Sequence, residues 1–396
     1  MRIPIKNLFI VCCIFIISGG NVYAETIILK DGKIVNGEII NKTDDYIEVN
    51  VGLDFSITYY RDEIEKIESG RRDGFRLYEN NQREIAAVTF PKDLFPHPNS
   101  RDDYFYYSGI LDAVTGEKYG VLLFFYLRNG YCVTAVFTIY DLQHGYFDFK
   151  QVNAFQKVDS SKQGYTISIN SWLADGPFEK HHLVAETDNF KINLFAESNG
   201  PKAIYGEQGH VFLGPKGDSL CYAIPRMPVN GTLTIISDEE DIKPEEVNVS
   251  GVFWHEHRWE HINSGKTGWN WIHLYLPGNY ALTIFQIFDD QGQIAKDVKL
   301  GGYLIMPDGS VITLSPKDIV FKGDSQWVSP KSNNGYPMHW RIQIDEIDCL
   351  FEVIPVIKDC ELVPNFYYWE GPIVTQGVFK GKEFKTYGFM EMLGKR

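Results

Sequence analysis

Between Phe75 and Phe389 the chain is written almost wholly in short runs of aromatic and β-branched residues, closed by Gly, Asn, Asp or Pro. Residues 104–111, 119–126, 132–140, 165–172, 190–195 and 219–224 are examples, and the same texture continues from 251 to 389. Alternation with a period near two reads as strand, whereas an amphipathic helix repeats its apolar positions every three or four residues. Almost no stretch shows the helical repeat. Many strands at roughly 8–12-residue spacing predict an all-β protein made of sandwiches or closed barrels. The acidic run 238–246 reads as a solvated loop, and it divides the region into halves of similar size, 75–248 and 249–396.

A smaller unit precedes these halves. Ile27-Ile28-Leu29, Asp31-Gly32 and Lys33-Ile34-Val35 read as two strands about a hairpin turn, and residues 46–51 and 55–59 continue the alternation. Residues 25–70 are expected to form a small SH3-like or Sm-like β-barrel with no catalytic constellation, suited to docking a protein partner. Residues 71–74 make a linker. Residues 1–24 read as a secretory signal peptide: Arg2 and Lys6 come first, an apolar core spans 8–17, and Val22-Tyr23-Ala24 offers a small-residue cleavage site. Cleavage there is expected to deliver a periplasmic or secreted protein with no transmembrane segment.

Composition narrows the partners. The formal net charge is −14, which makes the chain a poor holder of a phosphate backbone, so no nucleic-acid partner is expected. Beyond the signal the cysteines are Cys132, Cys221, Cys349 and Cys360. A Cys349–Cys360 bridge and buried free thiols are both open readings.

The chemistry concentrates in residues 251–271, GVFWHEHRWEHINSGKTGWNW. Trp254, Trp259, Trp269 and Trp271 lie here, and His255, His257, His261 and His273 lie in or beside it. Tryptophans wall cavities and histidines titrate near neutral pH, so the interleaving suggests a polar patch with aromatic walls. On a strand, His255, His257 and Trp259 share one face, and Trp254, Glu256 and Arg258 share the other. His257 to His261 also fits H-x-x-E-H, a zinc-protease pattern, but that motif needs a helix and the context is strand. A His255, His257 and His273 metal set is the looser alternative; no metal and no cofactor is the expectation. The bland reading makes the two histidines hydrogen-bonded wall residues and Glu256–Arg258 a structural ion pair.

Several segments taken together resemble the AttH-like and carotenoid 1,2-hydratase family of lipocalin-like proteins. These are CYAIPRMPVNGTLTI from Cys221, VSGVFWHEHRWEH from Val249 and GWNWIHLYL from Gly268. Asp103 to Leu111 (with Tyr106), Tyr336 to Arg341, Tyr368-Trp369-Glu370-Gly371 and Tyr387 to Met392 agree with further signatures in the family's order, so the resemblance covers about 75–393. It implies two lipocalin-like β-barrel domains packed side by side, with a site near their junction that takes a hydrophobic small molecule such as an isoprenoid, carotenoid or lipid. Trp254, Trp259, Trp269, Trp271, Tyr106, Gln286 and Trp369 are the expected ligand-binding residues. His255, Glu256 and His257 match the hydratases' aromatic-His-Asp-His run, with Glu for Asp, and are the candidate catalytic residues. On the next strand, where those enzymes carry a tyrosine and an acid, this chain reads Ala281 to Gln286. Two functions therefore stand side by side: a binding protein for an apolar ligand, or a lyase that adds water across a C=C bond.

Overall fold

The computed structural model describes residues 25–30, 34–43, 46–52, 55–69, 87–161, 164–177, 179–212, 218–236, 243–260, 268–289, 291–296, 298, 300–363 and 368–393. The signal peptide, the Asp31-Gly32 turn, the 71–74 linker and His261 lie outside them. The chain divides into two compact units, 1–83 and 84–396.

In the first unit, five antiparallel strands form one sheet. Their spatial order is Phe55–Tyr60, Tyr46–Gly52, Ile34–Lys42, Glu25–Leu29, Ile64–Ser69. Alternation places Ile27, Leu29, Ile47 and Val49 in its core. Register shifts at Ile28/Leu29, Ile39/Asn41 and Asn50/Gly52 bend the strands.

The second unit is all strand and short 3-10 turns among the described residues. A thirteen-stranded antiparallel sheet runs from residue 102 to residue 260. It curls until Gly164–Ile169 meets Tyr146–Lys157, where Gln156 Nε2 donates to Ser168 Oγ at 2.7 Å. The barrel is thus nearly closed. Phe105, Phe125, Phe137, Ile167, Trp172 and Leu194 fill it. A ten-stranded sheet from Trp269 to Met392 makes the second, half-open barrel. The two lipocalin-like domains expected from the sequence are both present.

The division between them falls after Glu260, not at 248. Strand Glu245–Glu260 pairs along its length with Asp218–Ile235 and Asp102–Ala113, so it belongs to the first barrel. The acidic run connects two paired strands of one sheet, and its described residues, 243–246, are exposed.

One core joins the barrels. Tyr106, Leu122, Tyr140, Cys221 and Trp254, on the outside of the first barrel, pack with Trp271, Ile272 and Phe389 of the second. The first sheet is therefore buried on both faces here, which is why 253–259 is buried at every position. Polar ties fix the junction. The Tyr140 hydroxyl donates to the Glu370 carbonyl at 2.9 Å, and Arg226 donates to the Tyr280 carbonyl at 3.1 Å with its guanidinium over the Tyr275 ring. Arg226 sits in the bulge between Ile224 and Met227, which frees it from the ladder. Gly251 is needed where strands touch: a Cβ there would meet the Ile110 carbonyl oxygen at 2.1 Å. Among the described residues Cys132, Cys221, Cys349 and Cys360 are buried free thiols.

Candidate functional site

Because strand Glu245–Glu260 lies inside the sheet, successive side chains alternate between the barrel interior and the domain junction. His255, His257 and Trp259 enter the barrel, where they pack against Phe105, Tyr107 and Tyr222. Trp254, Glu256 and Arg258 enter the junction. The stretch thus lines two sites, back to back.

In the barrel, His255 Nδ1 lies 3.0 Å from the Tyr106 carbonyl oxygen, which can only accept, so Nδ1 carries the proton. Its Nε2 is buried without a hydrogen-bond partner. The ring stacks on Tyr107 at 4.4 Å and stands edge-on to His181 at 5.3 Å. Burial, then the neighbouring His181 and His257, holds the His255 pKa well below its usual value, so the imidazole is neutral. The Tyr107 hydroxyl in turn meets His181 Nδ1 at 2.9 Å and the Tyr165 hydroxyl at 3.3 Å. Burial pushes His181 down to about 3.

One turn of the alternation further on, His257 Nε2 lies 2.8 Å from Asp103 Oδ1, and its ring stacks on Phe105 at 4.0 Å. Its Nδ1 is also buried and unbonded. Asp103 Oδ2 accepts the His97 backbone N–H at 2.6 Å. The His97 ring lies flat on Trp259 at 4.1 Å, with Nε2 3.1 Å from Asp93 Oδ1 and Nδ1 3.7 Å from Asp103 Oδ2. Burial opposes a charge on His97, but Asp103 and Asp93 outweigh it and raise its pKa to about 9. Burial also opposes the Asp103 anion; His257 and His97 outweigh it and hold that carboxyl below the usual range. For His257 burial prevails over Asp103, and its pKa is lowered.

The junction is a carboxyl site. Glu370 and Glu391 stand opposite each other on strands Tyr368–Phe379 and Lys382–Met392. Glu370 accepts the Tyr106 hydroxyl at 3.0 Å and the Tyr368 hydroxyl at 2.9 Å, while Glu391 accepts Trp269 Nε1 at 2.7 Å. Burial, then its partner's charge, raises the Glu370 pKa well above the ordinary value, and burial raises Glu391. Burial also raises Glu256, to about 7, with Arg258 opposing and Glu391 adding to the rise. Arg258 donates to the Ser219 hydroxyl at 2.7 Å and to the Tyr104 hydroxyl at 3.4 Å. Trp254 stacks on His273 at 4.5 Å, His273 Nε2 meets Ser108 Oγ at 2.8 Å, and Trp271 Nε1 donates to Thr283 at 2.7 Å.

Residues 81–395 match the family model described as AttH-like. The chain belongs to the AttH-like family. A solved relative, described as a putative AttH from Nitrosomonas europaea, superposes with a TM-score of 0.66 at 21% identity, over 79% of this chain and 99% of that one. Kievitone hydratase from Nectria haematococca gives 0.63 at 16% identity, over 78% and 94%. Among curated proteins, a dehydratase of Emericella nidulans, asqC, is 21% identical over 217 residues, 52% of this chain. The match spans 58% of that relative's length.

In this AttH-like chain the expected residues are distributed over three places. His255, His257 and Trp259 are in the barrel. Trp254, Glu256, Tyr106, Trp269 and Trp271 are at the junction. Gln286 and Trp369 face elsewhere: Gln286 accepts from Asn270 at 2.9 Å and lines an apolar cleft of about 60 Å³ with Phe285, Val298 and Leu300. Trp369 Nε1 donates to the Lys358 carbonyl at 2.7 Å, on the side of its strand away from Glu370. His255 and His273 lie on opposite faces of the first sheet, so the looser metal set is not assembled. Sequence reading missed His97, Asp103, Tyr107, His181, Glu370 and Glu391 as site residues. Asp103, Tyr107, Glu370 and Glu391 stood inside the family signatures, where they passed as fold markers; nothing local distinguished His97 in its Pro96-His97-Pro98 turn.

Proposed function

We propose that the chain is a hydro-lyase that adds water to, or removes it from, a C=C bond of an apolar, isoprenoid-like small molecule. The observation that carries this is the paired arrangement of His255 and His257. Each has one ring nitrogen fixed by an acceptor and the other buried and unbonded, on one aromatic-lined wall. Hydration needs a proton delivered to one alkene carbon, water oxygen bonded to the other, and a base that takes the surplus proton. The balance is one water gained, with no redox change. Phe105, Tyr107 and Trp259 supply ring faces of the kind that stabilise a developing cation. The relatives named as a dehydratase and a hydratase support the same chemistry, although Gln286, on strand Ala281–Ile287 of the second sheet, stands where an acid is expected.

The second reading is ligand carriage without turnover; the cleft beside Gln286, at about 60 Å³, has room for water but not for an isoprenoid chain. One assay separates them. The purified chain is incubated with a panel of acyclic isoprenoid alkenes and the corresponding tertiary alcohols in ¹⁸O-labelled water. Enzyme-dependent label in the alcohol is the expected result; bound but unchanged compound would leave only carriage. The signal-like segment 1–24 supports export to the periplasm or exterior, and N-terminal sequencing of the mature chain checks it. Residues 25–69, a sheet with no candidate site among its described residues, suit a docking role toward a protein partner.

A further inference from the structure

We propose that His97, Asp103 and His257 form a binding site for one divalent transition-metal ion of the zinc type. One donor atom from each residue falls within 4.8 Å of the others. In a tetrahedral zinc site, bonds of about 2.0–2.1 Å set neighbouring donors about 3.3 Å apart. The distances from Asp103, 2.8 Å from Oδ1 to His257 Nε2 and 3.7 Å from Oδ2 to His97 Nδ1, lie on either side of that value, one from each carboxylate oxygen. Two imidazole nitrogens and one carboxylate oxygen suit zinc, and three protein ligands leave a fourth position for water or ligand.

The surroundings orient His97 and Asp103 as metal sites require, while an ion on His257 Nε2 replaces the proton shared with Asp103 and moves it to Nδ1. Asp93 Oδ1 sits 3.1 Å from His97 Nε2 and holds a proton there, so Nδ1 is the nitrogen that gives up its proton to an incoming ion. Nδ1 is buried and makes no hydrogen bond. Asp93 is itself held by the Thr89 backbone N–H and hydroxyl, at 2.6 and 3.2 Å. Asp103 is anchored by the His97 backbone N–H, and Trp259 fixes the plane of the His97 ring. His97 retains 17% side-chain exposure, which gives an ion a way in. The set owes nothing to the H-x-x-E-H spacing: His257 finds its partners across the sheet and in the 95–100 turn, not four residues along.

The test needs no substrate, so its failure and that of the lyase reading are separable. The mature chain is stripped with a chelator and titrated with Zn²⁺, and Co²⁺ absorption reports the ligand geometry. The account expects one Zn²⁺ per chain, a tetrahedral Co²⁺ spectrum, and loss of both in His97→Ala. Asp93→Asn, which leaves all three ligands in place, is expected to weaken binding about 10- to 100-fold. It carries the test should His97→Ala fail to fold. His182→Ala, at a surface imidazole beside Asp175, should bind like the parent. Absence of stoichiometric Zn²⁺ in the parent chain, or Zn²⁺ binding unchanged in both His97→Ala and Asp93→Asn, overturns the site.

Discussion

The two faces of strand Glu245–Glu260 are a controlled comparison: same backbone, same burial, opposite chemistry. Toward the barrel, a buried carboxyl meets imidazoles, and Asp103 is held ionised. Toward the junction, buried carboxyls meet hydroxyls, an indole and each other, and Glu370 and Glu391 are held protonated more strongly than usual. Residue type does not decide charge state here; the partner does. Both faces keep unbonded polar atoms, and at the junction these are Trp254 Nε1, Glu256 Oε2 and His273 Nδ1. Both barrel histidines keep an unbonded nitrogen, whereas Glu370 receives a hydroxyl on each oxygen.

The largest expected effect lies on the junction face. Trp254→Ala removes a fully buried indole stacked on His273 and should cost about 3–5 kcal/mol in urea unfolding; a loss under 1 kcal/mol would mean the junction is not a true core. On the barrel face, His257 looks from sequence like a cavity-lining ring whose truncation would cost little. Its ring is in fact fully buried, against Phe105, and bonded to Asp103. His257→Ala is therefore expected to cost about 1.5–3 kcal/mol in the same measurement, because it strands a buried carboxylate.

A pH series sharpens the contrast. The folded Glu370 carboxyl binds its proton more tightly than the unfolded one, whose ordinary value is 4.5. Its stabilisation is complete below that value and is lost as pH rises toward the folded pKa. The groups facing it are Tyr106, Tyr368 and Glu391, with Tyr140 on its carbonyl. Arg258 acts on Glu391 from further off. Glu370→Gln should flatten the fall of stability above pH 4.5, read from melting temperatures across the series; an unchanged slope would place the shared protons elsewhere. The smallest effect is expected from Glu256→Gln. With a pKa of about 7 the side chain is already half neutral at neutral pH, so the change in stability should stay below about 1 kcal/mol. A large loss would show that the Arg258 charge depends on it.

The fold was legible because period-two alternation and turn residues are local signals, and they hold from Tyr104 to Phe389. The split of His255, His257 and Trp259 from Trp254, Glu256 and Arg258 follows from the same alternation and is seen in the structure. What lay across the strands was not legible. Asp103 reaches His257 over 154 residues and Tyr106 reaches Glu370 over 264, and no local pattern encodes such pairings. The domain boundary was misplaced for a related reason: an acidic run looks alike in sequence whether it joins two domains or two strands of one hairpin.

The central claim is that chemistry resides on the barrel face and cohesion on the junction face. Water-labelling turnover of His255→Gln and Glu370→Gln, measured side by side, tests it most directly. Gln at 255 keeps an N–H for the Tyr106 carbonyl but removes the free imidazole nitrogen. The account predicts that His255→Gln loses turnover at least about 100-fold while still melting as a folded protein, and that Glu370→Gln keeps turnover near the parent's. Full turnover in His255→Gln together with its loss in folded Glu370→Gln would contradict the account and move the chemistry to the junction.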